Sequence, residues 1–352
     1  MATTAEVVEV EGRKVRVTSP EKVFFPDVGV TKLDLVNYYL GVMPGVLRGC
    51  GGRPTTMYRW PNGVEKPGDA FYQKRVPDKG RPEWLQTTVI RFPSGRSAEM
   101  AVVADAAHVV WLVNLGCIDI NPWPVRLHPG ANAGDGRVAL DGDVDHPDEL
   151  RVDLDPTPGI DYADVCRVAP VVHEVLTEHD LVGAAKTSGK RGMHVYVAIE
   201  PSWSFTEVRR AALALAREVE RRMPGVATTA WWKEERHGVF VDYNQNARDR
   251  TIASAYSVRP VSDARVSCPL AWDEIEPGLD PREFRIDTVP ERFGARADPW
   301  EVLGGRARRL DSLLDLAARD ERGGLGDAPW PPNFPKAEDE PPRVQPSRRR
   351  GS

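Results

Sequence analysis

The run Leu150-Arg151-Val152-Asp153-Leu154-Asp155-Pro156 sets two carboxylates two residues apart in a strand-forming stretch. Side chains two apart on a strand share a face. Leu150, Val152 and Leu154 therefore pack one way, while Arg151, Asp153 and Asp155 point the other. Like charges side by side repel unless a cation or cleft water stands between them. Pro156 stops the strand, which puts the pair at a strand end. Taken alone, a D-x-D is better read as a solvated strand face with a turn-forming Asp-Pro. A second run shifts the balance. Gly238-Val239-Phe240-Val241-Asp242 is apolar until it ends on a carboxylate, which is unfavourable to bury unless paired or metal-bound. Together Asp153, Asp155 and Asp242 suit two divalent ions about 3.5–4 Å apart, which would activate a hydroxyl, neutralise phosphates and stabilise leaving pyrophosphate. Hard oxygen ligands favour Mg²⁺ or Mn²⁺ over zinc.

Two further segments offer groups for a triphosphate. Thr187-Ser188-Gly189-Lys190-Arg191-Gly192-Met193-His194 carries two glycines that allow a tight turn with backbone N–H groups facing an anion. Ser188 adds a hydroxyl, and Lys190 and Arg191 add charge. This is no G-x-x-x-x-G-K-[ST] loop, and His194 by itself reads better as a satisfied core histidine. After Asp242 come Asn244, Gln245, Asn246, Arg248, Arg250 and Arg259. Arginine's planar fork grips phosphate oxygens in pairs. The plain alternative is a charged surface loop running into a strand.

These groups need a scaffold. Residues 6–18 read as a hairpin turning near Glu11-Gly12. A helix should start at Thr31, with Asp34 completing a capping box and Leu33, Val36 and Leu40 at helical spacing. Arg53 to Arg96 suggests strands joined by long loops, and Asp105 to Leu115 a buried helix. Asn121-Pro122-Trp123-Pro124 and residues 130–142 read as loop. Then follow a strand over Leu150–Asp155, a helix over Asp161–His179 and a strand over Met193–Ile199. Ser204 and Glu207 cap a long helix ending at Met223-Pro224, before the strand Gly238–Asp242. This uneven alternation predicts an α+β (mixed α/β) domain with a mixed sheet.

Composition sets outer bounds. No apolar run approaches the roughly 18 residues a membrane span needs, and the N-terminus lacks a secretory pattern. The expected place is the cytoplasm, in association with the nucleoid. Cys50, Cys117, Cys166 and Cys268 form no C-x-x-C pair, so buried thiols are expected rather than a zinc knuckle or disulfides. Net charge is −5, yet residues 1–100 hold 15 Lys/Arg against 11 Asp/Glu, a weak sign of a phosphate-tracking surface. From about residue 320 the chain turns rich in proline and charge, and order is expected to fade. The division is a catalytic domain over 1–300, an extension over 301–334 packing on it or trailing from it, and a disordered tail over 335–352.

In combination these motifs resemble the archaeo-eukaryotic primase superfamily. PDELRVDLDP, SGKRGMH and HGVFVDYNQNARDRTIASAYSVR recur in order at suitable spacings. The nearest likeness is to the polymerase domain of bacterial non-homologous end-joining ligases and stand-alone primase-polymerases, from about Val15 to Phe293. The resemblance implies a two-lobed primase-polymerase fold with mixed and antiparallel sheets. It implies Asp153, Asp155 and Asp242 as catalytic ligands of two divalent ions, Mn²⁺ or Mg²⁺. It gives Ser188, Arg191 and His194 to the triphosphate, and makes Gln245, Arg259, Arg236 and Arg59 further nucleotide contacts. Phe71 and Tyr72 match an aromatic pair that stacks on the incoming base, as suits a polymerase because every base has a π-face. Lys22 and Lys32 match lysines that bind a 5′-phosphate across a gap. This chain departs in having Tyr58 before Arg59, Asn121 where those domains carry a histidine near ribose and metal, and Arg191 for lysine. The departures bear on sugar discrimination and nucleotide affinity.

The expected activity is template-dependent addition of nucleotides, ribonucleotides in preference, to 3′-hydroxyl ends in short gaps, breaks or primers. Expected partners are gapped or broken duplex DNA with a 5′-phosphate, NTPs or dNTPs, a separate DNA ligase and an end-binding protein. The chain itself is expected to be a monomer. A non-catalytic end-binding module would not need all three carboxylates. A two-metal nuclease would not need a triphosphate pocket.

Overall fold

The structure is a computed structural model that describes residues 4–92, 95–132, 138–248 and 250–330. The hairpin β1 (Ala5–Val10) and β2 (Arg13–Thr18) turns through Glu11 and Gly12, both at positive φ. The short pair β3 (Val23–Phe25) and β4 (Val30–Thr31) leads into α1 (Lys32–Gly41). Thr31 and Asp34 form the expected capping box. After α2 (Met43–Cys50) comes a five-stranded antiparallel sheet. Its strands are β5 (Pro54–Arg59), β6 (Phe71–Gln73), β7 (Thr87–Arg91), β8 (Ser97–Val102) and β9 (Cys117–Pro122). The buried helix α3 (Ala106–Asn114) joins the last two.

The loop expected over Asn121-Pro122 is instead the end of β9, with Thr55 opposite Pro122 and Thr56 opposite Asn121. Proline lacks a donor, and a strand's last position tolerates that. The stretch 130–142 is likewise not all loop, since β10 (His128–Asn132) pairs with β11 (Val138–Asp141).

The second sheet has six strands in the order β15-β16-β12-β14-β13-β17, antiparallel except for β15 with β16. They are β12 (Glu149–Pro156), β13 (Gly183–Thr187), β14 (Met193–Ala198), β15 (Ala227–Thr228), β16 (Val239–Asp242) and β17 (Pro269–Leu270). Helices α4 (Tyr162–Glu178) and α5 (Phe205–Arg222) pack against it, burying Val165, Val168, Val172, Val208, Leu215 and Val219. Leu150, Val152 and Leu154 join that apolar layer. The opposite face of β12 is buried as well. Arg151 donates to Glu149, and Arg53 donates to both Glu149 and Asp148, so this strand carries a ladder of buried charge rather than a solvated face.

The C-terminal part adds α6 (Val289–Ala295) and α7 (Asp311–Arg322). Order does not fade at residue 320. Trp330 is 2% exposed and lies under the Arg209 guanidinium, which also donates to the carbonyls of Ala328 and Pro329. Burying one indole outweighs the polar composition around it. The expected tail over 335–352 lies outside the described residues.

Candidate active site

Antiparallel pairing of β12 with β16 sets Asp153 directly opposite Asp242, with Asp155 two residues further along the same face. One oxygen from each of the three carboxylates lies within 4.8 Å of the other two. Asp153 is buried and Asp155 stands at the open side of the group. Burial and the neighbouring Asp155 and Asp242 hold the Asp153 carboxyl well above the usual carboxylate range. Burial and Asp242 push Asp155 up to about 6. Asn244 gives Asp242 two donors, its amide and its side chain, which reach Oδ1 at 2.8 and 2.9 Å. Gln245 Nε2 donates to Asp242 at 3.0 Å and to Asp153 at 3.4 Å.

The donor set fits a divalent cation. Asp153 Oδ1 is buried with no partner in hydrogen-bonding geometry, and repulsion among the three oxygens calls for a positive charge between them. All three ligands are hard carboxylate oxygens, which suit Mg²⁺ or Mn²⁺. His194 stands behind Asp153, its Nε2 3.4 Å from Oδ1. Its Nδ1 faces Lys186 Nζ at 2.5 Å; that nitrogen also donates to Ala253 O and Ser267 Oγ, and burial holds Lys186 itself well below its ordinary value. Burial and the Lys186 charge hold His194 well below its ordinary value, so the ring is neutral. A neutral ring fixed from behind is suited to orienting a ligand carboxylate. Lys186, which the sequence did not single out, is the part of this relay that only β13 pairing with β14 brings in.

Around the trio lies an open cleft of about 880 Å³ lined by Tyr58, Tyr72, Asp119, Asn121, Ser188, Lys190, Arg191, His194, Arg236, Gln245, Arg259 and Arg265, among others. Ser188 Oγ accepts from the amides of Lys190 and Gly192, which closes the turn from inside. Those two amides therefore serve the turn, and the cations around it are what face an anion. Gly189 holds a positive φ, and a Cβ there would strike the Arg259 side chain. Arg259 donates to Ser188 O at 3.1 Å and Arg265 to Lys190 O at 3.1 Å, so two arginines brace the turn. Arg236 lies over the Phe240 ring and donates to the carbonyls of Ala230 and Trp231.

The aromatic wall differs from the sequence expectation. Neighbouring residues on a strand point to opposite faces. Tyr72 lines the cleft, two-thirds exposed, and stacks on Tyr58 at 4.1 Å with the rings 7° apart. Phe71 and Arg59, each one residue removed from a cleft residue, turn to the other face, where the guanidinium covers the Phe71 ring. Arg59 there donates to Leu115 O and Gln73, and the structure brings neither residue into the cleft. On that side lie Lys22 and Lys32. Lys22 Nζ is held by Pro61 O and Asn62, and Lys32 Nζ by Thr18 O and Asn114 O. Burial, then the charges of Lys22 and Arg59, lower Lys32 to about 8.

Asp119 was not foreseen. It shares a face of β9 with Asn121, and a D-x-N alternation is a signal of the same kind as D-x-D, hidden here because the following Pro-Trp-Pro suggested loop. Among the described residues, no helix is long and apolar enough to cross a membrane.

Comparison with known proteins agrees with this geometry. The family described as the LigD primase-polymerase domain matches residues 31–300. The multifunctional non-homologous end joining DNA repair protein LigD of Mycobacterium tuberculosis (strain H37Rv) is 31% identical over 305 residues, covering 86% of this chain and 38% of that protein. The bifunctional non-homologous end joining protein LigD of Bacillus subtilis is 28% identical over 289 residues, covering 82% of this chain and 44% of that protein. The chain thus spans less than half the length of these curated relatives. The solved polymerase domain from Mycobacterium tuberculosis ligase D in complex with DNA superposes with a TM-score of 0.74 at 30% identity, covering 83% of this chain and 99% of that one. The chain belongs to the LigD primase-polymerase domain family.

Proposed function

We propose that the chain adds nucleotides, ribonucleotides in preference, to 3′-hydroxyl ends in short gaps, breaks or primers on a DNA template, using two divalent ions held by Asp153, Asp155 and Asp242. One observation carries this reading: a carboxylate trio with a buried, unpartnered oxygen on Asp153 opens into a cleft that also holds an aromatic face and a cationic turn. Two ions bound there would supply Lewis acidity to the attacking hydroxyl and offset charge on the phosphates.

The chain's own residues do the rest. Tyr72 offers one ring face to a base, because Tyr58 occupies the other. Lys190, Arg191, Arg259 and Arg265 surround the turn where a triphosphate would lie, and the Ser188 hydroxyl keeps its proton to donate. Gln245 holds the carboxylates of Asp242 and Asp153 by hydrogen bonds, and the His194 ring backs Asp153 from the other side. On the far face, Lys22, Lys32 and Arg59 form a cationic group for a 5′-phosphate, with Lys32 at the first turn of α1. DNA as the template is supported by the DNA complex of the similar polymerase domain. A separate DNA ligase and an end-binding protein would complete repair, with this chain acting as a monomer.

The test is extension of a gapped, 5′-phosphorylated duplex with rNTPs or dNTPs, in Mg²⁺ or Mn²⁺, with Asp242→Ala as control. Metal-dependent extension that the variant lacks is expected. No extension under any of the four conditions, or equal extension by the variant, overturns the reading.

A further inference from the structure

Asp119 is 2% exposed and lines the nucleotide cleft, yet its Oδ1 has no partner in hydrogen-bonding geometry. Its Oδ2 lies 3.6 Å from Arg259 Nε, which is also buried without a hydrogen bond. A buried carboxylate oxygen left without a donor is unfavourable, so its retention at a cleft wall points to a donor that arrives with a ligand.

The position narrows down that donor. Strand β9 runs between the aromatic wall and the carboxylate trio. On one side it pairs with β5, the strand of Tyr58, with Ile120 opposite Met57 and Asn121 opposite Thr56. On the other side its last carbonyl, Pro122 O, accepts from Arg151 of β12 at 3.1 Å. A nucleotide with its base on Tyr72 and its phosphates near the trio must lay its sugar across this wall. Asp119 directly precedes Ile120, whose cross-strand partner Met57 directly precedes Tyr58, which sets Asp119 beside the aromatic wall. The sugar carbon nearest the base after the glycosidic carbon is C2′. Its substituent in a ribonucleotide is a hydroxyl, a donor that an ionised carboxylate can only accept.

We infer that Asp119 is a specificity-determining residue that accepts a hydrogen bond from the 2′-hydroxyl of the incoming nucleotide and so favours ribonucleotides. The inference rests on the nucleotidyl-transfer reading of this cleft. Arg259 shares the work: burial pushes the Asp119 carboxyl up, the nearby Arg259 charge opposes that push, and the same guanidinium braces the Ser188 turn. A hydrogen bond to a charged acceptor is stronger than one between neutral groups, and a site built around it rejects a sugar lacking the donor.

The experiment compares single-nucleotide addition to one gapped duplex using triphosphates with 2′-hydroxyl, 2′-hydrogen and 2′-fluoro sugars. Fluorine is close to hydroxyl in size but cannot donate, so size and hydrogen bonding separate. Wild type should favour the 2′-hydroxyl in kcat/KM by about tenfold or more over both other sugars. In Asp119→Ala the three values should converge through loss at the 2′-hydroxyl substrate. Asp119→Asn should keep part of the preference, because its carbonyl still accepts, and it guards against misfolding of the alanine variant. An equal fall for all three sugars would mean that Asp119 only positions Arg259, and would overturn the proposal. So would a wild type that treats 2′-hydroxyl and 2′-fluoro alike. If wild type adds none of the three, the nucleotidyl-transfer reading itself fails, a result distinct from either of these.

Discussion

Asp153 and Asp242 stand face to face in the register of two neighbouring antiparallel strands, a cross-strand pair of like charge in a buried setting. Such a pair destabilises a sheet unless something positive lies between its members. Asp153→Asn or Asp242→Asn should therefore abolish nucleotide addition, by on the order of a thousandfold or more for loss of about 4 kcal/mol of charge stabilisation in the transition state. DNA binding should survive, and the melting temperature without metal should hold or rise because the repulsion is gone. Single-turnover extension, DNA binding and thermal melting read these three outcomes.

Metal binding should depend on pH in a definite direction. Asp155 is pushed up to about 6 and Asp153 is also raised, so protons compete with metal below that range. Raised carboxyl values also mean that the metal-free fold loses stability as pH rises through about 6. The stabilisation given by Mn²⁺ should thus be small at pH 5 and large at pH 7.5. A thermal shift independent of pH would count against these carboxylates as the ligands.

The two aromatics of β6 should separate. Tyr72→Ala should weaken apparent nucleotide affinity by about 1–3 kcal/mol, the usual value of one base stack. Phe71→Ala, on the opposite face, should leave nucleotide KM near wild type. Steady-state extension at varied nucleotide concentration distinguishes them, and reversed results would place the base on the other side of β6.

On that other side, Lys22→Ala/Lys32→Ala should erase any preference for gaps carrying a 5′-phosphate over a 5′-hydroxyl. Lys32 sits at about 8 in the free protein, so wild-type preference should fall as pH rises past that value and the ammonium loses its proton. It should also shrink with salt. A preference that is flat from pH 7 to 9.5 would argue that Lys32 only holds the carbonyls of Thr18 and Asn114.

Truncation should matter earlier than proline content suggests. Arg209 links the Pro329 carbonyl to Asn244, which in turn donates to Asp242. Ending the chain at Arg322 removes Trp330 and leaves a buried guanidinium short of partners, a loss of roughly 3–5 kcal/mol. Thermal melting should drop, and metal-dependent activity with it, whereas a chain ending at residue 334 should behave as full length.

Much of this protein was legible in its sequence because the signals were local. Strand alternation put Asp153 and Asp155 on one face, Thr31-Asp34 and Ser204-Glu207 capped their helices, and paired glycines marked the Ser188 turn. Local pattern cannot say which strands become neighbours. Only the sheet order β16-β12-β14-β13 sets Asp242 opposite Asp153 and brings Lys186 behind His194. Nor does it tell which of two adjacent aromatics faces a ligand, because both alternate faces of a strand are occupied. Asp119 was hidden by a proline at the strand end, and Trp330 by the polar residues around it. In both cases burial against distant chain, which enters no short window of sequence, overrode the local propensity.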